Sequence, residues 1–212
     1  MQQPVIILGS KGLGKVAMEI FLSNDVSIYC FLDDDVSLHK TTVYDIPILG
    51  SIDDDGFLKY IGKKCEAFVA VDETIYRKKI VDMLIERRKV MPVNAIHKQA
   101  IISRYASFGH GNLINAGVVI NTGARIESHC IIHSHALVDY DAQVGDFVQI
   151  GAGSIINAGV VIEKGAFIGS GVTLVAGVKI GKNARVGAGS VVIADVKENS
   201  TVFGYPAEEV KK

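Results

Sequence analysis

The sequence predicts two domains, a small Rossmann-like α/β unit followed by a parallel β-helix built from hexapeptide repeats. Three observations support this fold class. At the start of the chain, an apolar segment, a glycine-rich turn and an amphipathic segment follow one another. From Ile102 to Val192 an apolar residue returns at every sixth position, sixteen times without a break. Four residues after each of these, the side chain is small or Val, with Asn112 as the one larger polar exception.

A period of six residues fits neither an amphipathic helix nor an alternating strand. It is typical of a parallel β-helix, in which three hexapeptides close one triangular coil of about eighteen residues. The large aliphatic side chains then fill the axis of the prism, and the small ones leave room for the turns. Residues eighteen apart should stack on one face, and the run is long enough for about five coils.

The glycine-rich turn predicts a Rossmann-like opening. Residues 4–8 read as a buried strand, residues 9–15 contain three glycines, and residues 16–22 are amphipathic. Main-chain amides at the start of such a helix can hold a phosphate group. The turn is not a P-loop, because Val16 stands where Ser or Thr would bind magnesium, and its spacing is not G-x-G-x-x-G. It therefore predicts either a phosphate-bearing ligand or a tight turn that binds nothing.

Acidic side chains follow the next two predicted strands. The strand Val26–Leu32 runs into Asp33, Asp34 and Asp35, and the strand Ala67–Val71 runs into Asp72. In Rossmann-like units, acids after the second strand often contact a ribose or base. A charged helix with Arg and Lys side chains comes next, and residues 92–100 read as a linker. We expect domains at residues 1–95 and 96–212.

Composition excludes several classes of protein. The net charge is −1 and no basic block stands out, which disfavours a nucleic-acid partner. Cys30, Cys65 and Cys130 are widely spaced and are expected to be reduced thiols of a cytoplasmic protein. The apolar run Val5–Leu8 is too short for a signal peptide or a membrane span.

Longer motifs resemble those of the bacterial nucleotide-sugar acetyltransferases, typified by bacillosamine N-acetyltransferase and sialic acid O-acetyltransferase. The resemblance extends over essentially the whole chain. Its motifs are the glycine-rich turn, Phe31-Leu32-Asp33-Asp34, and residues 76–80, 96–98, 120–126, 144–148 and 204–207. It implies a left-handed β-helix, a homotrimer with acetyl-CoA between subunits, and a nucleotide-linked amino sugar on the N-terminal domain. The implied reaction is acetylation of that sugar for a surface glycan.

The resemblance also implies the binding residues. The substrate would be bound by the glycine-rich turn and the acidic strand ends, namely Gly9, Lys11, Gly12, Leu13, Asp33, Asp34 and Asp72. Acetyl-CoA would be held largely by main-chain groups near Gln149, Ala158 and Ala188. No metal is expected. Leu13 and Gln149 stand where the family carries His, and Asp72 stands where it carries Gly.

Acetyl transfer to an amine or hydroxyl requires a general base, for which histidine is best suited near neutral pH. In the family, a histidine lies between two carboxylates just before an Ile-Gly-Asp-Phe motif. Here the same stretch is Val138-Asp139-Tyr140-Asp141, so Tyr140 takes the place of the base and Asp141 keeps the carboxylate. A phenol with a pKa near ~10 is protonated at neutral pH. An alternative is therefore a homologue that binds nucleotide sugar or acyl-CoA without chemistry.

Three histidines lie just upstream, at His129, His133 and His135. One interpretation is that they supply a substitute base. The other, which is the least favoured, is that they bind zinc in a metal-dependent enzyme. His129 and His135 occupy equivalent positions on adjacent faces and should point roughly 120° apart, which disfavours a metal site within one chain. His129 is expected to be a wall residue. The predicted catalytic residues are Tyr140, Asp141 and His135, with His133 as a further candidate base.

The hexapeptide period stops after Val192. The open end of a β-helix exposes strand edges, so residues 198–212 are expected to cap it. Within this tail, Gly204–Ala207 should turn the chain, and Glu208–Lys212 should form a short helical or frayed terminus.

Overall fold

The computed structural model describes residues 3–210, whose contacts fall into two units divided between Lys98 and Gln99. The first unit is a five-stranded sheet of order β3-β4-β2-β1-β5, in which all strands except β3 run parallel. The five strands of this sheet are β1 (Val5–Leu8), β2 (Ile28–Leu32), β3 (Thr42–Val43), β4 (Ile46–Gly50) and β5 (Glu66–Val69). A sixth strand, β6 (Ala95–Ile96), follows in the chain and is not part of this sheet. Its helices are α1 (Gly12–Ser23), α2 (Asp55–Leu58) and α3 (Thr74–Arg88), with a short 3-10 helix at Val36–Leu38.

Helix α1 begins at Gly12, four residues before the amphipathic segment that predicted it. Gly14, in the first turn of this helix, packs closely on the preceding turn. A Cβ atom on Gly14 would collide with the carbonyl oxygen of Gly9. The apolar face of α1 covers the sheet with Ala17, Ile20 and Phe21, all nearly fully buried.

The second unit is the predicted β-helix, and its coils have the predicted length. Sixteen two-residue strands follow one another, and each pairs in parallel with the strand eighteen residues away; Ile120, for example, pairs with Ile102 and Val138. The strands are β7 (Ile101–Ile102), β8 (Ser107–Phe108), β9 (Leu113–Ile114), β10 (Val119–Ile120), β11 (Arg125–Ile126), β12 (Ile131–Ile132), β13 (Leu137–Val138), β14 (Gln143–Val144), β15 (Gln149–Ile150), β16 (Ile155–Ile156), β17 (Val161–Ile162), β18 (Phe167–Ile168), β19 (Thr173–Leu174), β20 (Lys179–Ile180), β21 (Arg185–Val186) and β22 (Val191–Val192).

These strands form three faces. Face 1 contains β7, β10, β13, β16, β19 and β22; face 2 contains β8, β11, β14, β17 and β20; and face 3 contains β9, β12, β15, β18 and β21. The periodic aliphatic residue is the second residue of each strand, and from Ile114 to Val192 each of these side chains is at most 2% exposed. From Asn112 to Val196, the residues at the small position are buried as well. Asn112 fits this buried position because its Oδ1 accepts the Cys130 N–H at 2.7 Å.

The turns explain the distribution of glycine. From residue 111 to residue 189, the third residue after each core aliphatic has a positive φ, the region that glycine adopts most readily. His129, His135 and Asp141 occupy this position with φ values of 63°, 60° and 58°. The two histidines are therefore equivalent in conformation, as their sequence spacing predicted.

The C-terminal tail turns as predicted, but its end is not helical. Strand β23 (Thr201–Gly204) pairs in parallel with β21, and β24 (Ala207–Glu209) returns antiparallel to β23. The prediction of a helical or frayed segment from Glu208 was wrong because these residues find free main-chain partners on β23. Lys211 and Lys212 lie outside the described residues. Between residues 3 and 210, no helix combines the length and apolar character needed to cross a membrane.

Candidate functional site

A cleft of about 360 Å³ lies where β1, β2 and β5 end. All seven residues that the sequence suggested for substrate binding line it. The complete lining is Gly9, Lys11, Gly12, Leu13, Asp33, Asp34, Asp35, Ile52, Ala70, Val71, Asp72 and Tyr76. The glycine turn and the acidic strand ends therefore face one cleft in the first unit.

The glycine turn opens the start of α1 to this cleft. Helix α1 has no side-chain cap and no acidic residue in its first turn, so its first amides and its dipole favour an anion. A Cβ atom on Gly12 would meet nothing within 4 Å, which leaves open space beside these amides. Lys11 adds a positive charge, and its Nζ lies 3.0 Å from Asp35 Oδ2. This hydrogen bond raises the pKa of Lys11, which keeps the charge.

Asp33 fixes the glycine turn to the end of β2. Its Oδ2 accepts the Ser10 N–H at 2.8 Å and the Ser10 hydroxyl at 2.6 Å, and its Oδ1 accepts the Asp35 N–H at 3.0 Å. Burial on its own would raise the pKa of Asp33, but the hydrogen bonds from Ser10 and the Asp35 amide outweigh it and hold that pKa below its usual value. Because both carboxylate oxygens accept hydrogen bonds from the protein, Asp33 holds the shape of the cleft wall and does not reach across the cleft.

Asp34 joins two other parts of the cleft wall. Its Oδ1 accepts the Ile52 N–H at 2.9 Å, and its Oδ2 accepts a hydrogen bond from the Tyr76 hydroxyl on α3. Burial and then the hydrogen bond to Asp34 raise the pKa of Tyr76 to about 12, so the phenol remains a donor at neutral pH. Sequence reasoning missed Tyr76 and Ile52 as lining residues, although Tyr76 belongs to a motif that resembles the family.

In the second unit, the predicted catalytic residues lie at opposite ends of one strand. Tyr140 and Asp141 belong to the turn after β13, whereas His135 belongs to the turn before it. Tyr140 is 52% exposed, and its N–H donates to Asp139 Oδ1 at 2.8 Å. Within residues 3–210, no hydrogen bond joins His135 to Tyr140 or Asp141. One chain therefore presents them on two different edges of the prism.

Glycines one coil away make room for both side chains. The Asp141 carboxylate lies over Gly123, where a Cβ atom would collide with Oδ1. The His135 ring lies over Gly117, where a Cβ atom would be 2.5 Å from Nδ1. The side chains of Asp141 and His135 thus each lie against a glycine of the neighbouring coil.

The other histidines have separate surroundings. His129 is 5% exposed and packs its ring 4.8 Å from that of Phe147, as expected for a wall residue. His133 lies beside face 3, with its Nε2 3.3 Å from Nε2 of Gln149. No group of three or more His, Cys, Asp or Glu side chains in the described part of the chain could hold a metal ion.

The residues suggested for acetyl-CoA binding lie on different parts of the prism. Gln149 is an outward residue of face 3, Ala158 is in the turn after β16, and Ala188 is in the turn after β21. The carbonyl of Ala158 accepts the Gly177 N–H at 3.0 Å within the coil stack. One chain does not bring these three residues together.

The outer surface of face 1 is apolar. The outward residue of each strand on this face is Ile101, Val119, Leu137, Ile155, Thr173 or Val191. Ile101 is 68% exposed and Ile155 is 40% exposed. Face 2 presents mainly polar side chains, including Arg125, Gln143 and Lys179 at the equivalent positions. Face 1 therefore differs from an ordinary solvated surface.

Comparison with known families identifies both units. The PglD N-terminal domain matches residues 4–84, and the bacterial transferase hexapeptide (six repeats) matches residues 141–176 and 159–194. No curated protein matches the chain. The predicted fold class, a small Rossmann-like domain followed by a left-handed parallel β-helix, is confirmed.

Solved structures resemble the whole chain. PerB from Caulobacter crescentus, in complex with CoA and GDP-perosamine, shares 29% identity with a TM-score of 0.90, over 100% of this chain and 99% of that one. A mutant of perosamine N-acetyltransferase from the same organism, in complex with the same ligands, has a TM-score of 0.89 at 29% identity, again over 100% and 99%. The acetyltransferase domain of PglB from Neisseria gonorrhoeae FA1090, in complex with acetyl coenzyme A, shares 25% identity at a TM-score of 0.90, over 99% and 100%.

Proposed function

We propose that this chain, which belongs to the nucleotide-sugar acetyltransferase family through both of its domains, transfers an acetyl group from acetyl-CoA to the amine of a nucleotide-linked sugar. One observation carries the proposal: the match to a perosamine N-acetyltransferase bound to CoA and GDP-perosamine extends over 100% of this chain. The first unit also has a cleft lined by the start of helix α1 and by acidic residues at the ends of strands, as a nucleotide-binding site requires. The product would serve the synthesis of a surface glycan.

In this proposal the first unit binds the nucleotide. The amides at the start of α1 and Lys11 favour the negative charge of a diphosphate. Asp34 and Tyr76, on the other side of the cleft, offer hydrogen-bonding groups to the ribose or the base. Leu13 adds an apolar side chain to the lining of the cleft.

The second unit carries the chemistry. The sugar amine attacks the thioester carbonyl, so that a nitrogen–carbon bond forms and the carbon–sulfur bond breaks. The proton lost from the amine goes to a general base, which then passes it to the departing sulfur, so that CoA leaves as the thiol. Histidine is the side chain best suited to that step near neutral pH.

A homotrimer would combine the separated catalytic residues. If face 1 of three parallel prisms turns towards a threefold axis, the apolar stripe becomes buried. The two edges that flank face 1 then meet across each subunit boundary. One edge contributes Tyr140 and Asp141, and the other edge contributes His135 of a neighbouring copy at the same coil, because both flank β13. We assign the base to this His135, with Tyr140 and Asp141 holding the amine.

A cytoplasmic location is part of the proposal. Cys30, Cys65 and Cys130 are free thiols that are buried in the described structure. Unpaired cysteines are typical of a reducing compartment.

The proposal is tested by mixing the purified chain with acetyl-CoA and nucleotide-linked amino sugars and measuring free thiol. If thiol is released only when the sugar is present, the result supports an acetyltransferase. Stabilisation of the protein by both ligands without thiol release would instead indicate a protein that binds them without chemistry.

A further inference from the structure

A buried guanidinium supports the wall of the N-terminal cleft that follows β5. Val71 and Asp72 line the cleft between the end of β5 and the start of α3. Nη1 of Arg77 donates to the carbonyl oxygen of Val71 at 2.8 Å and to that of Asp72 at 2.9 Å. Arg77 is 1% exposed, so a positive charge lies directly behind this wall.

The supported wall packs against the glycine turn. A Cβ atom on Gly9 would lie 2.6 Å from the carbonyl oxygen of Ala70 and 3.1 Å from Cγ2 of Val71. The Ala70 N–H also donates to the Leu8 carbonyl at 2.8 Å. A shift of residues 70–72 would therefore move the turn from which α1 begins. Through its main-chain contacts, Arg77 therefore holds residues 71–72 directly and the glycine turn indirectly, and both line the same cleft.

We propose that Arg77 is a positioning residue for the nucleotide part of the substrate. It holds residues 70–72 so that the glycine turn and the acidic strand ends keep the spacing that a nucleoside diphosphate requires. The inference rests on the proposed function of the cleft. Both hydrogen bonds come from Nη1, which the planar guanidinium holds in a fixed position, whereas the ammonium of a lysine is a flexible point charge, so we expect a lysine to hold the two carbonyl groups less firmly.

The burial of Arg77 favours this role over a purely structural one. A buried guanidinium must be hydrogen-bonded to remain in the protein interior, and two of the groups that serve Arg77 are main-chain carbonyls of the cleft wall. Packed apolar side chains of similar volume often stabilise a fold at least as well as buried charged groups. Both of these main-chain contacts fall on residues of the cleft lining, Val71 and Asp72, which places the guanidinium directly beside the ligand site.

Helix α3 offers a matched control. Arg88 lies at the other end of the helix, and its Nη2 donates to the carbonyl oxygens of Lys59 at 3.1 Å and Ile61 at 3.0 Å. These two carbonyl groups are not part of the cleft lining. Arg88→Lys therefore disturbs the same kind of contact on the same helix, away from the ligand site.

The test compares Arg77→Lys and Arg88→Lys in the full chain. Kd is measured by calorimetry for GDP, UDP, dTDP and acetyl-CoA, and amide hydrogen exchange is followed over residues 9–14 and 59–63. In Arg77→Lys we expect Kd for the nucleoside diphosphate that the wild type binds to rise about tenfold, equivalent to about 1.4 kcal/mol. Exchange over residues 9–14 should accelerate, while Kd for acetyl-CoA stays unchanged. In Arg88→Lys only residues 59–63 should exchange faster.

The outcomes separate the two claims. If the wild type binds a nucleoside diphosphate and Arg77→Lys binds it equally well, the role of Arg77 is refuted and the proposed function stands. An equal loss of nucleotide affinity in Arg88→Lys also refutes that role, because it shows a general effect on α3. If the wild type binds none of the three nucleotides, the proposed function of the cleft fails and the inference fails with it. Should Arg77→Lys not fold, Arg77→Met, of similar volume, is compared in the same way.

Discussion

The Tyr76 hydroxyl donates a hydrogen bond to the Asp34 carboxylate, which connects the first turn of α3 to the end of β2 in the wall of the N-terminal cleft. The two residues are 42 positions apart in the chain, and both line the cleft. This contact helps to fix the orientation of the carboxylate, for which the Ile52 amide is the other donor among residues 3–210.

Tyr76→Phe should weaken binding of the nucleotide sugar without slowing the chemical step. Loss of one hydrogen bond of about 1 kcal/mol corresponds to a rise in KM for the nucleotide sugar of about fivefold. Steady-state kinetics should show kcat close to the wild-type value. Tyr29→Phe is the control, because Tyr29 is 43% exposed, pairs with the ring of Tyr60 and lies outside the cleft lining. A fall in kcat for Tyr76→Phe with KM unchanged would contradict this assignment.

Ser10→Ala should destabilise the first unit in a manner that depends on pH. The substitution removes a donor from the buried Asp33 carboxylate, and we expect the free energy of unfolding at neutral pH to fall by about 1–3 kcal/mol. Because the folded-state pKa of Asp33 is lowered, its contribution to stability is present above the usual value of 3.8 and is lost as pH falls through the folded-state pKa. The difference between wild type and Ser10→Ala should therefore shrink at acidic pH.

Urea unfolding across this range checks the prediction, with Ser23→Ala as the comparison. Ser23 donates its hydroxyl to the Ile20 carbonyl at 2.8 Å and touches no carboxylate in that contact. Its substitution should give a smaller loss that does not change with pH. If Ser10→Ala lowers the free energy of unfolding by the same amount at neutral and at acidic pH, Ser10 and Asp33 are not coupled.

Gly123→Ala should reduce the rate of acetyl transfer by displacing Asp141. A Cβ atom at Gly123 would collide with the Asp141 carboxylate, and its φ of 72° adds strain of about 1–2 kcal/mol for a residue other than glycine. Gly171→Ala is the matched control, because Gly171 has a φ of 66° but a Cβ atom there would meet nothing within 4 Å. Both variants should lose similar stability in thermal melts, but only Gly123→Ala should lose kcat, by about tenfold or more. Equal kcat values would exclude a role for Asp141.

Ile155→Glu should dissociate the proposed trimer. Ile155 lies on the apolar face 1 and is 40% exposed in one chain, so a carboxylate there would have to be buried between copies. Sedimentation equilibrium should show trimers for the wild type and monomers for Ile155→Glu. Gln143→Glu places the same charge at the equivalent position of face 2 and should leave the trimer intact. A monomeric wild type, or dissociation by both substitutions, would contradict the use of face 1.

Much of the β-helix was predictable because each hexapeptide repeats the same two physical requirements. The axis must be filled by a large aliphatic side chain, and the following turn must accommodate a positive φ. The register also contains a contact that sequence reasoning overlooked. Gln149 pairs with Ile131, two residues before His133, so an eighteen-residue coil already places the Gln149 and His133 side chains near each other.

The first unit was less predictable, because its contacts depend on how separate elements pack. Glycines and acidic residues beside apolar strands pointed to seven lining residues of the cleft. The short hairpin of β3 and β4 and the helix α2 carry no long periodic pattern, and the sequence did not reveal them. Tyr76 and Arg77 reach the cleft wall only because α3 packs with its first turn beside β5, which no local pattern encodes.

The most direct test of the proposed activity is the yield of acetylated sugar per thiol released. The wild-type protein is incubated with acetyl-CoA and a set of nucleotide-linked amino sugars that includes GDP-perosamine, and the products are identified by mass spectrometry. Matched sugars that carry a hydroxyl in place of the amine serve as controls. We expect one acetamide for each free thiol with at least one amino sugar, and neither product with its hydroxyl counterpart. Binding of these sugars and of acetyl-CoA with no acetamide formed from any of them would contradict the assignment as an acetyltransferase.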